Sequence, residues 1–376
     1  MRVAINTLFL VSESLGGSWT LTTQLVRNLT SSAGNIEYIV LVNEAVAPDF
    51  PVSSVSGTKV VIPINAQSRA KRILWEQTML PGLVRKYKPD LFHTTGNILP
   101  LGISCKAVAT ILDLQVLHYP ENFPFVRRNY LRTMLPLTAR RADRIIAISE
   151  FVRRDILKHY RVSPEKIVAI PLAGLTPEES NTSASTGDIR SRYDLPQRFL
   201  LSVGGSYPHK NLVRMVEAFA DAAQDIPDAL VIVGEAFGMR GQLMEVLDRT
   251  GLSASGRVRT FPFLPRADIL ALYRAAQAYV FPSLFEGFGI PVLEAMGCGC
   301  PVIASNGTAL AEVVGEAGIL FDALDTRSIA HAMRTVTLDR TARDRVIALG
   351  YTRAREFSWQ RNADLTTAVF RDVLQK

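Results

Sequence analysis

The segment Pro282–Ser305 places two carboxylates beside a predicted anion site. It follows the strand-like run AYVF and reads PSLFEGFGIPVLEAMGCGCPVIAS. Two glycines precede a predicted helix, Ile290–Met296, and Pro291 suits its first turn because its missing N–H is not needed there. Helix N-termini attract anions through unpaired amides and the helix dipole. Glu286 and Glu294 would repel a bare phosphate, so we expect a sugar–phosphate ligand whose hydroxyls they bind.

A second glycine turn supports this interpretation. The run RFLLSV ends in a glycine turn, and a lysine and an asparagine follow where the next helix opens. Such a turn can cradle phosphate, although the pattern alone is weak. The alternative is structural: Glu286 caps its helix, Glu294 complements the helix dipole, and the glycines only make turns. The residues of this second cradle are Gly204, Gly205, Ser206, Lys210 and Asn211.

These loops must be positioned by strands, and short β-branched runs alternate with amphipathic helical segments along the whole chain. Near-continuous apolar strands separated by helices indicate parallel sheets covered on both faces. Ligands bind such sheets at the carboxyl ends of the strands. The fold class is therefore predicted to be α/β, with two tandem Rossmann-like doubly wound domains facing a cleft. The predicted strands are RVAIN, YIVLV, KVVI, DLFHT, KAVATIL, RIIAIS, KIVAI, RFLLSV, ALVIVG, VRTFPF, AYVFPS, PVIAS and GILF.

The 376-residue length favours two domains, since single cores stop growing near about 250–300 residues. The Ser- and Thr-rich stretch LTPEESNTSASTG abandons periodicity and marks a boundary. We predict an N-terminal domain over 1–175, a linker over 176–195 and a C-terminal domain over 196–357. The helix 358–376 is predicted to pack back on the first domain.

Basic charge is concentrated in the N-terminal half. Residues 1–175 hold 21 Lys and Arg against 12 Asp and Glu, a net +9, and the remainder carries −2. Such a face attracts an anionic membrane surface, a lipid-linked diphosphate or nucleic acid. Nucleic acid is disfavoured because the basic residues lack interleaved aromatic stacking positions.

Other features bound the chemistry. No apolar run approaches the roughly 20 residues that span a bilayer, no signal peptide is evident, and three cysteines do not form a disulfide framework. We expect a cytoplasmic protein, peripheral at most on the inner face of the plasma membrane. Cys298 and Cys300 lack partner ligands and no Asp-x-Asp occurs, so we expect neither metal nor cofactor. The glycines from Gly234 to Gly241 do not form a dinucleotide-binding GxGxxG, which disfavours a nicotinamide enzyme.

Together these motifs resemble one family. The glycine turn before Lys210-Asn211, the run EGFGIPVLEA and the run GCGCPVIAS look like family 4 of the retaining glycosyltransferases, with the GT-B fold. The segments SEFVRRDILKHYRVSPEKIVAIP, RILWEQTMLPGLVRKYKPDLFHTTGNILP and FSWQRNADL resemble members that build bacterial surface polysaccharides, including lipopolysaccharide. The resemblance implies mannosyl, rhamnosyl or glucosyl transfer from a nucleoside diphosphate sugar to a saccharide or lipid-linked acceptor. It also implies that the N-terminal domain binds the acceptor and that the C-terminal domain binds the nucleotide sugar.

The resemblance also implies roles for single residues. Lys210 would neutralise the diphosphate, Glu294 would hold ribose hydroxyls, and Glu286 would lie against the transferred sugar. A glycine pair after the first strand would let that domain approach the diphosphate. The full set of donor-binding candidates is Gly16, Gly17, Gly204, Gly205, Ser206, Lys210, Asn211, Gly234, Leu264, Gly287, Phe288, Gly289, Ile290 and Glu294.

Two positions depart from the family pattern. Gly205 stands where many relatives have Arg, and Leu112 stands where many have the His of a His-Asp pair, followed here by Asp113. A leucine offers no hydrogen bond to a sugar C6 hydroxyl, which favours a 6-deoxy donor; an ordinary hexose, with His118 or water supplying the contact, is the alternative. We take Glu286, Asp113 and His118 as the catalytic candidates, with His93 near a neighbouring strand end.

Two other functions remain open from the sequence. A GT-B epimerase or phosphorylase would share the fold and the phosphate sites. A non-catalytic subunit that binds sugar nucleotides or a membrane surface would explain both Gly205 and Leu112. Release of nucleoside diphosphate only in the presence of acceptor separates transfer from both.

Overall fold

A computed structural model describes residues 1–11, 16–32, 34–64, 66–176, 179, 186–205, 207–234 and 240–375. The chain forms two compact units: Met1–Leu172 with Trp359–Lys376, and Ala173–Ser358. Within the described ranges, no helix has the length and apolarity needed to cross a bilayer. The prediction of two doubly wound α/β domains is confirmed.

The first unit is built on a seven-stranded parallel sheet in the order β3-β2-β1-β4-β5-β6-β7. Its strands are β1 (Arg2–Asn6), β2 (Glu37–Asn43), β3 (Gly57–Ile62), β4 (Leu91–Thr94), β5 (Lys106–Ile111), β6 (Arg144–Ala147) and β7 (Ile167–Ala169). Its helices are Gly17–Ser31, Arg69–Thr78, Leu80–Tyr87, Gln115–His118, Phe125–Arg141, Glu150–His159 and Trp359–Gln375.

The second unit has a six-stranded parallel sheet in the order β10-β9-β8-β11-β12-β13. Its strands are β8 (Phe199–Val203), β9 (Ala229–Val233), β10 (Val258–Phe261), β11 (Ala278–Phe281), β12 (Val302–Ser305) and β13 (Ile319–Phe321). Its helices are Thr186–Arg192, Leu212–Ala222, Arg240–Arg249, Arg266–Ala275, Ile290–Gly297, Thr308–Val314, Thr326–Leu338 and Arg340–Arg355.

Strand order reverses once in each sheet. In the first sheet β1 has β2 on one side and β4 on the other, and in the second β8 lies between β9 and β11. In each sheet, the connections on the two sides of this reversal therefore run in opposite directions. They leave a crevice at the carboxyl edge of the strands. Each sheet thus has one place where a ligand is favoured.

The last helix, Trp359–Gln375, belongs to the first unit although it ends the chain. Its Phe370 is fully buried in the first unit's core with Val3, Ile5 and Val40. Asp372 forms a 2.7 Å ion pair with Arg144. The helix therefore closes one face of the first sheet.

Two local predictions are wrong. The sequence of residues 73–87 has the spacing of a single amphipathic helix, but the structure has two helices here, which meet at Met79. Pro81 explains the break, because it cannot donate to the carbonyl four residues earlier and its ring clashes there. The predicted linker 176–195 contains the helix Thr186–Arg192, which belongs to the second unit.

His93, in β4, is fully buried and stays neutral. Its Nε2 lies 2.9 Å from Thr110 Oγ1, and its ring packs 5.1 Å from that of Phe370. Burial lowers the pKa of His93 from 6.5 to about 3. The unfolded chain therefore binds a proton that the folded chain refuses.

This difference predicts acid sensitivity. Because the folded pKa is the lower one, stability is complete above pH 6.5 and falls as the pH drops toward 3. Between pH 7 and 5 we expect His93 to cost about 2 kcal/mol of unfolding free energy. Urea denaturation of wild type and His93→Gln measures it. The exposed His331→Gln is the control, and an equal pH slope in all three proteins would contradict the assignment.

Candidate functional site

Lys210 and Glu286 meet at the carboxyl edge of the second sheet. Lys210 follows β8 and Glu286 follows β11, the two strands at the reversal of strand order. Lys210 Nζ lies 2.6 Å from Glu286 Oε1, and the two side chains are 20% and 16% exposed. The ammonium also lies 5.2 Å from the centre of the Phe281 ring. The structure thus joins the key residues of both predicted anion elements.

The capping alternative for Glu286 does not hold. Gly289 is the N-cap of the helix Ile290–Gly297, and no side chain caps that helix. The Glu286 carboxylate is paired with Lys210 instead, and its backbone N–H donates to Thr308 Oγ1 at 3.2 Å. Glu286 therefore presents its charge to the crevice rather than to its own helix.

Gly289 has a conformational reason to be glycine. Its φ is +113°, and a Cβ there would come within 2.6 Å of Leu310 Cδ2. The neighbouring candidates Phe288 and Ile290 are buried, and Gly287 is partly exposed. The loop from Glu286 is therefore held in one shape by packing, with the helix N-terminus directly after it.

Asn211 fixes the Lys210 turn to the rest of the sheet edge. Pro208–Lys210 form one 3-10 turn, and Asn211 follows in the left-handed region with φ +60°. The Asn211 amide donates to the carbonyls of Pro282 and Ala323, at 3.2 and 2.8 Å. Asn211 was predicted as a donor-binding residue, but its N–H groups hold the turn in place.

The glycine turn after β8 depends on Gly234. A Cβ on Gly234 would lie 2.2 Å from the carbonyl oxygen of Gly204, and both glycines have positive φ. The Gly204 N–H donates to Val233 at 2.8 Å. Gly234 therefore serves the close approach of two strand ends. Gly205 lies in this turn, and the predicted site residue Ser206 lies outside the described residues.

Glu294 is buried and bound to an arginine that the sequence analysis missed. It is 5% exposed, and its Oε1 accepts from Arg266 Nη1 at 2.7 Å. Arg266 also binds both carboxylate oxygens of Glu179. Burial raises the pKa of Glu294, and the Arg266 charge opposes that rise. Leu264, one of the donor-binding candidates, is 6% exposed.

No local pattern marks Arg266 or Glu179. Glu179 lies in the stretch predicted as a linker, and it is 115 residues from Glu294 along the chain. Burial works against the charge of Arg266, but its two carboxylates together raise its pKa above the ordinary value. The three side chains form one hydrogen-bonded network beside the helix Ile290–Gly297.

The remaining site candidates lie in the first unit, where Asp113 and His118 have different partners. Asp113 follows β5, and its Oδ1 accepts from the N–H of Gln115 at 2.9 Å. It lines a pocket of about 250 Å³, whereas His118 instead contacts Asp155 at 2.8 Å. Gly16 has φ +58° and is the N-cap of the helix that begins at Gly17; both are exposed.

The pocket lies at the carboxyl ends of β1, β4 and β5 and is strongly polar. Three arginines line it, together with the buried Glu76. Glu76 lies 3.4 Å from Arg72 and accepts from Asn6 at 3.3 Å, and burial raises its pKa. Leu112 lines the same pocket, and its N–H donates to Asn97 at 2.6 Å. The arginines are Arg69, Arg72 and Arg127.

Comparison with known proteins gives consistent results. Residues 188–353 match the model of glycosyl transferases group 1, and residues 15–173 match that of glycosyltransferase family 4. The chain is 31% identical to O-antigen chain mannosyltransferase B of Escherichia coli, over 74% of this chain and 73% of that protein. It is 29% identical to the serotype-specific mannosyltransferase WbdA of E. coli, over 72% of this chain but only 34% of that protein. Its fold matches Anabaena HepE in complex with UDP and glucose, at a TM-score of 0.76, 20% identity and 99% coverage of both chains.

The Arg266 network predicts a pH-dependent defect. Arg266→Met leaves Glu294 without its ion pair, and because the Arg266 side chain is 39% exposed we expect a modest loss, about 1–2 kcal/mol at pH 8. A raised carboxyl pKa means that the folded state loses stability as the pH rises, so the loss should shrink at pH 5. Urea denaturation at both pH values measures this. The loss in the exposed control Arg327→Ala should be near zero, and an equal loss for Arg266→Met at both pH values would argue against the network.

Proposed function

The chain belongs to the group 1 glycosyltransferases, with a family 4 N-terminal part, and on that premise we propose that it transfers a hexose from a nucleoside diphosphate sugar to a saccharide acceptor with retention of configuration. The Lys210–Glu286 pair at the strand-order reversal carries this proposal. A cation for the departing diphosphate and a carboxylate for the sugar stand side by side there.

The chemistry asked of the protein is electrostatic. Cleavage of the bond between the sugar and the diphosphate builds negative charge on the leaving oxygen, and preorganised donors lower the energy of that charge. Lys210 and the N-terminal amides of the helix Ile290–Gly297 supply them. Glu286 orients the sugar. Retention follows when the acceptor hydroxyl attacks on the same face that the diphosphate leaves, and the hydroxyl proton passes to the departing diphosphate oxygen.

Glu286 also competes with the donor for Lys210. The Glu286 carboxylate accepts a hydrogen bond from the Lys210 ammonium at 2.6 Å. A diphosphate must therefore share the ammonium with this carboxylate or displace the carboxylate. Because of this competition, we expect substitutions of the two residues to have opposite effects on diphosphate binding. Binding and turnover can therefore be told apart.

Lys210→Ala should weaken binding of a nucleoside diphosphate about 10- to 150-fold, since a charge-assisted contact is worth about 1.5–3 kcal/mol. Glu286→Gln should tighten the same binding about 2- to 10-fold, because the competing charge is gone, while turnover falls at least about 100-fold. Titration calorimetry and acceptor-dependent release of diphosphate measure the two effects.

Arg249→Ala, which removes an exposed cation of the same unit, is the control for net charge. Unchanged diphosphate affinity in a folded Lys210→Ala protein would contradict the proposed cradle. Release of nucleoside diphosphate without acceptor would favour the epimerase alternative.

Mannose is the proposed donor sugar because the curated relatives are named as O-antigen and serotype-specific mannosyltransferases. The product would then be a surface polysaccharide of the O-antigen type. A 6-deoxy sugar is the competing proposal, because Leu112 offers no hydrogen bond to a C6 hydroxyl. The position of Leu112 in the first unit's pocket, beside Asp113, gives that pocket an apolar wall.

The acceptor is proposed to bind in this pocket and to be anchored in a membrane. Three arginines suit the phosphates of a lipid-linked saccharide. One of them, Arg127, follows Phe125 and Val126, which are 69% and 80% exposed. Arg128 lies 5.5 Å from the centre of the Phe125 ring. Exposed apolar side chains among cations fit an anionic bilayer surface, where the rings enter the interface and the cations meet phosphates.

Vesicle sedimentation tests the membrane proposal. We expect binding to vesicles that contain phosphatidylglycerol, weaker binding in high salt because exposed charges are screened within about 10 Å at 0.1 M, and little binding to neutral vesicles. The double variant Phe125→Ser/Val126→Ser should lose most of the binding. Leu338→Ser, which removes an exposed leucine of the other unit, is the control. Equal sedimentation of the double variant and the control would contradict the proposal.

A further inference from the structure

A cluster of two histidines and an aspartate lies in the first unit, outside the pocket described above. His118 ends the short helix Gln115–His118, and Asp155 and His159 lie on the helix Glu150–His159. A separation of four residues places Asp155 and His159 on one face of their helix. One nitrogen or oxygen from each of the three side chains lies within 4.8 Å of the others. The fold therefore brings three ligand atoms together from two elements.

The contacts within the cluster are close. His118 Nε2 lies 2.8 Å from Asp155 Oδ2 and 3.0 Å from Oδ1. His159 Nδ1 lies 3.1 Å from Oδ1 and 3.0 Å from the Asp155 carbonyl oxygen. The two rings are nearly perpendicular, with centroids 5.4 Å apart. Both imidazoles therefore direct a nitrogen at the same carboxylate.

Burial in the cluster is graded. The Asp155 side chain is 7% exposed, whereas each histidine side chain is 30% exposed. A carboxylate at the base and two imidazoles at the rim leave a route from solvent. An ion entering by this route would lose part of its hydration shell and gain three protein ligands.

The donor set selects the class of ion. Two imidazole nitrogens with one carboxylate oxygen suit Zn²⁺ and its neighbours in the transition series, whereas Mg²⁺ and Ca²⁺ prefer sets made of oxygen. Metal–ligand bonds of about 2.0–2.1 Å place tetrahedral ligand atoms about 3.3 Å apart. The two nitrogen–carboxylate separations of 2.8 and 3.1 Å are close to that value, and all three ligand atoms lie within 4.8 Å of one another.

We propose that His118, Asp155 and His159 bind one divalent transition-metal ion of the Zn²⁺ type, with water in the remaining position. The ion replaces the protons that the imidazole nitrogens otherwise share with the carboxylate. It joins the segment after β5 to the helix after β6.

The site has a structural consequence for the neighbouring pocket. The segment that ends in His118 begins with Leu112 and Asp113 and continues through Gln115 and Val116, all of which line the pocket. Fixing His118 to the helix Glu150–His159 thus fixes one wall of that pocket. This role for His118 differs from the catalytic role predicted from the sequence and does not depend on the donor site of the second unit.

The test uses the full chain after treatment with a chelator that is then removed. Competition with a chromogenic zinc indicator should show one Zn²⁺ per chain, and Mg²⁺ should not compete. His159→Ala and Asp155→Asn should each weaken Zn²⁺ binding at least about 100-fold, since each removes one of three ligands. His331→Ala, at an exposed histidine of the helix Thr326–Leu338, should bind Zn²⁺ like wild type.

Thermal unfolding gives an independent measurement that needs no variant. Tm of the wild type should rise with Zn²⁺ relative to chelator, because an ion that binds only the folded state stabilises it. His159→Gln and His118→Gln, which keep a hydrogen-bonding side chain, should fold in chelator but lose this rise. No stoichiometric Zn²⁺ binding, or a Tm that is the same with Zn²⁺ and chelator, would overturn the proposal. Equal Zn²⁺ affinity in His159→Ala and His331→Ala would overturn it as well.

Discussion

The ion pair between Lys210 and Glu286 is the interaction around which the second unit is arranged. It forms only because β8 and β11, whose carboxyl ends are 78 residues apart in sequence, are neighbours at the reversal of strand order. A 2.6 Å contact between two largely buried charges requires precise placement on both sides. Hydrogen bonds from the Asn211 amide hold the lysine turn in place. Gly289, with its left-handed backbone conformation, holds the glutamate loop in place. The cost of burying these charges is offset while they pair.

Much of this arrangement follows from local sequence. Each predicted strand is present within two residues of its predicted bounds, because β-branched runs buried on both faces have few other stable conformations. Lys210 and Glu286 were also predicted, since glycine turns after strands and a helix N-terminus mark the carboxyl edge of a parallel sheet. The helix break at Met79 was missed because amphipathic periodicity outweighed a single proline in the prediction.

Contacts between distant segments could not be predicted in the same way. Arg266 joins Glu179 to Glu294, and His118 meets a carboxylate 37 residues away, without any motif around them. Cysteine spacing and Asp-x-Asp motifs do not reveal the proposed ligand set, because it is split between the helix Gln115–His118 and the helix Glu150–His159. For the same reason the sequence placed Asp113 and His118 in one catalytic group, whereas the structure gives them different partners.

In the proposed reaction, the Lys210–Glu286 pair opens to receive the diphosphate of a sugar nucleotide. A crystal structure of the chain with a nucleoside diphosphate tests it most directly. We expect a phosphate oxygen at hydrogen-bond distance, about 3 Å, from Lys210 Nζ. We also expect the Glu286 carboxylate to have moved away from the ammonium. A diphosphate bound elsewhere, with the ion pair still closed, would contradict it.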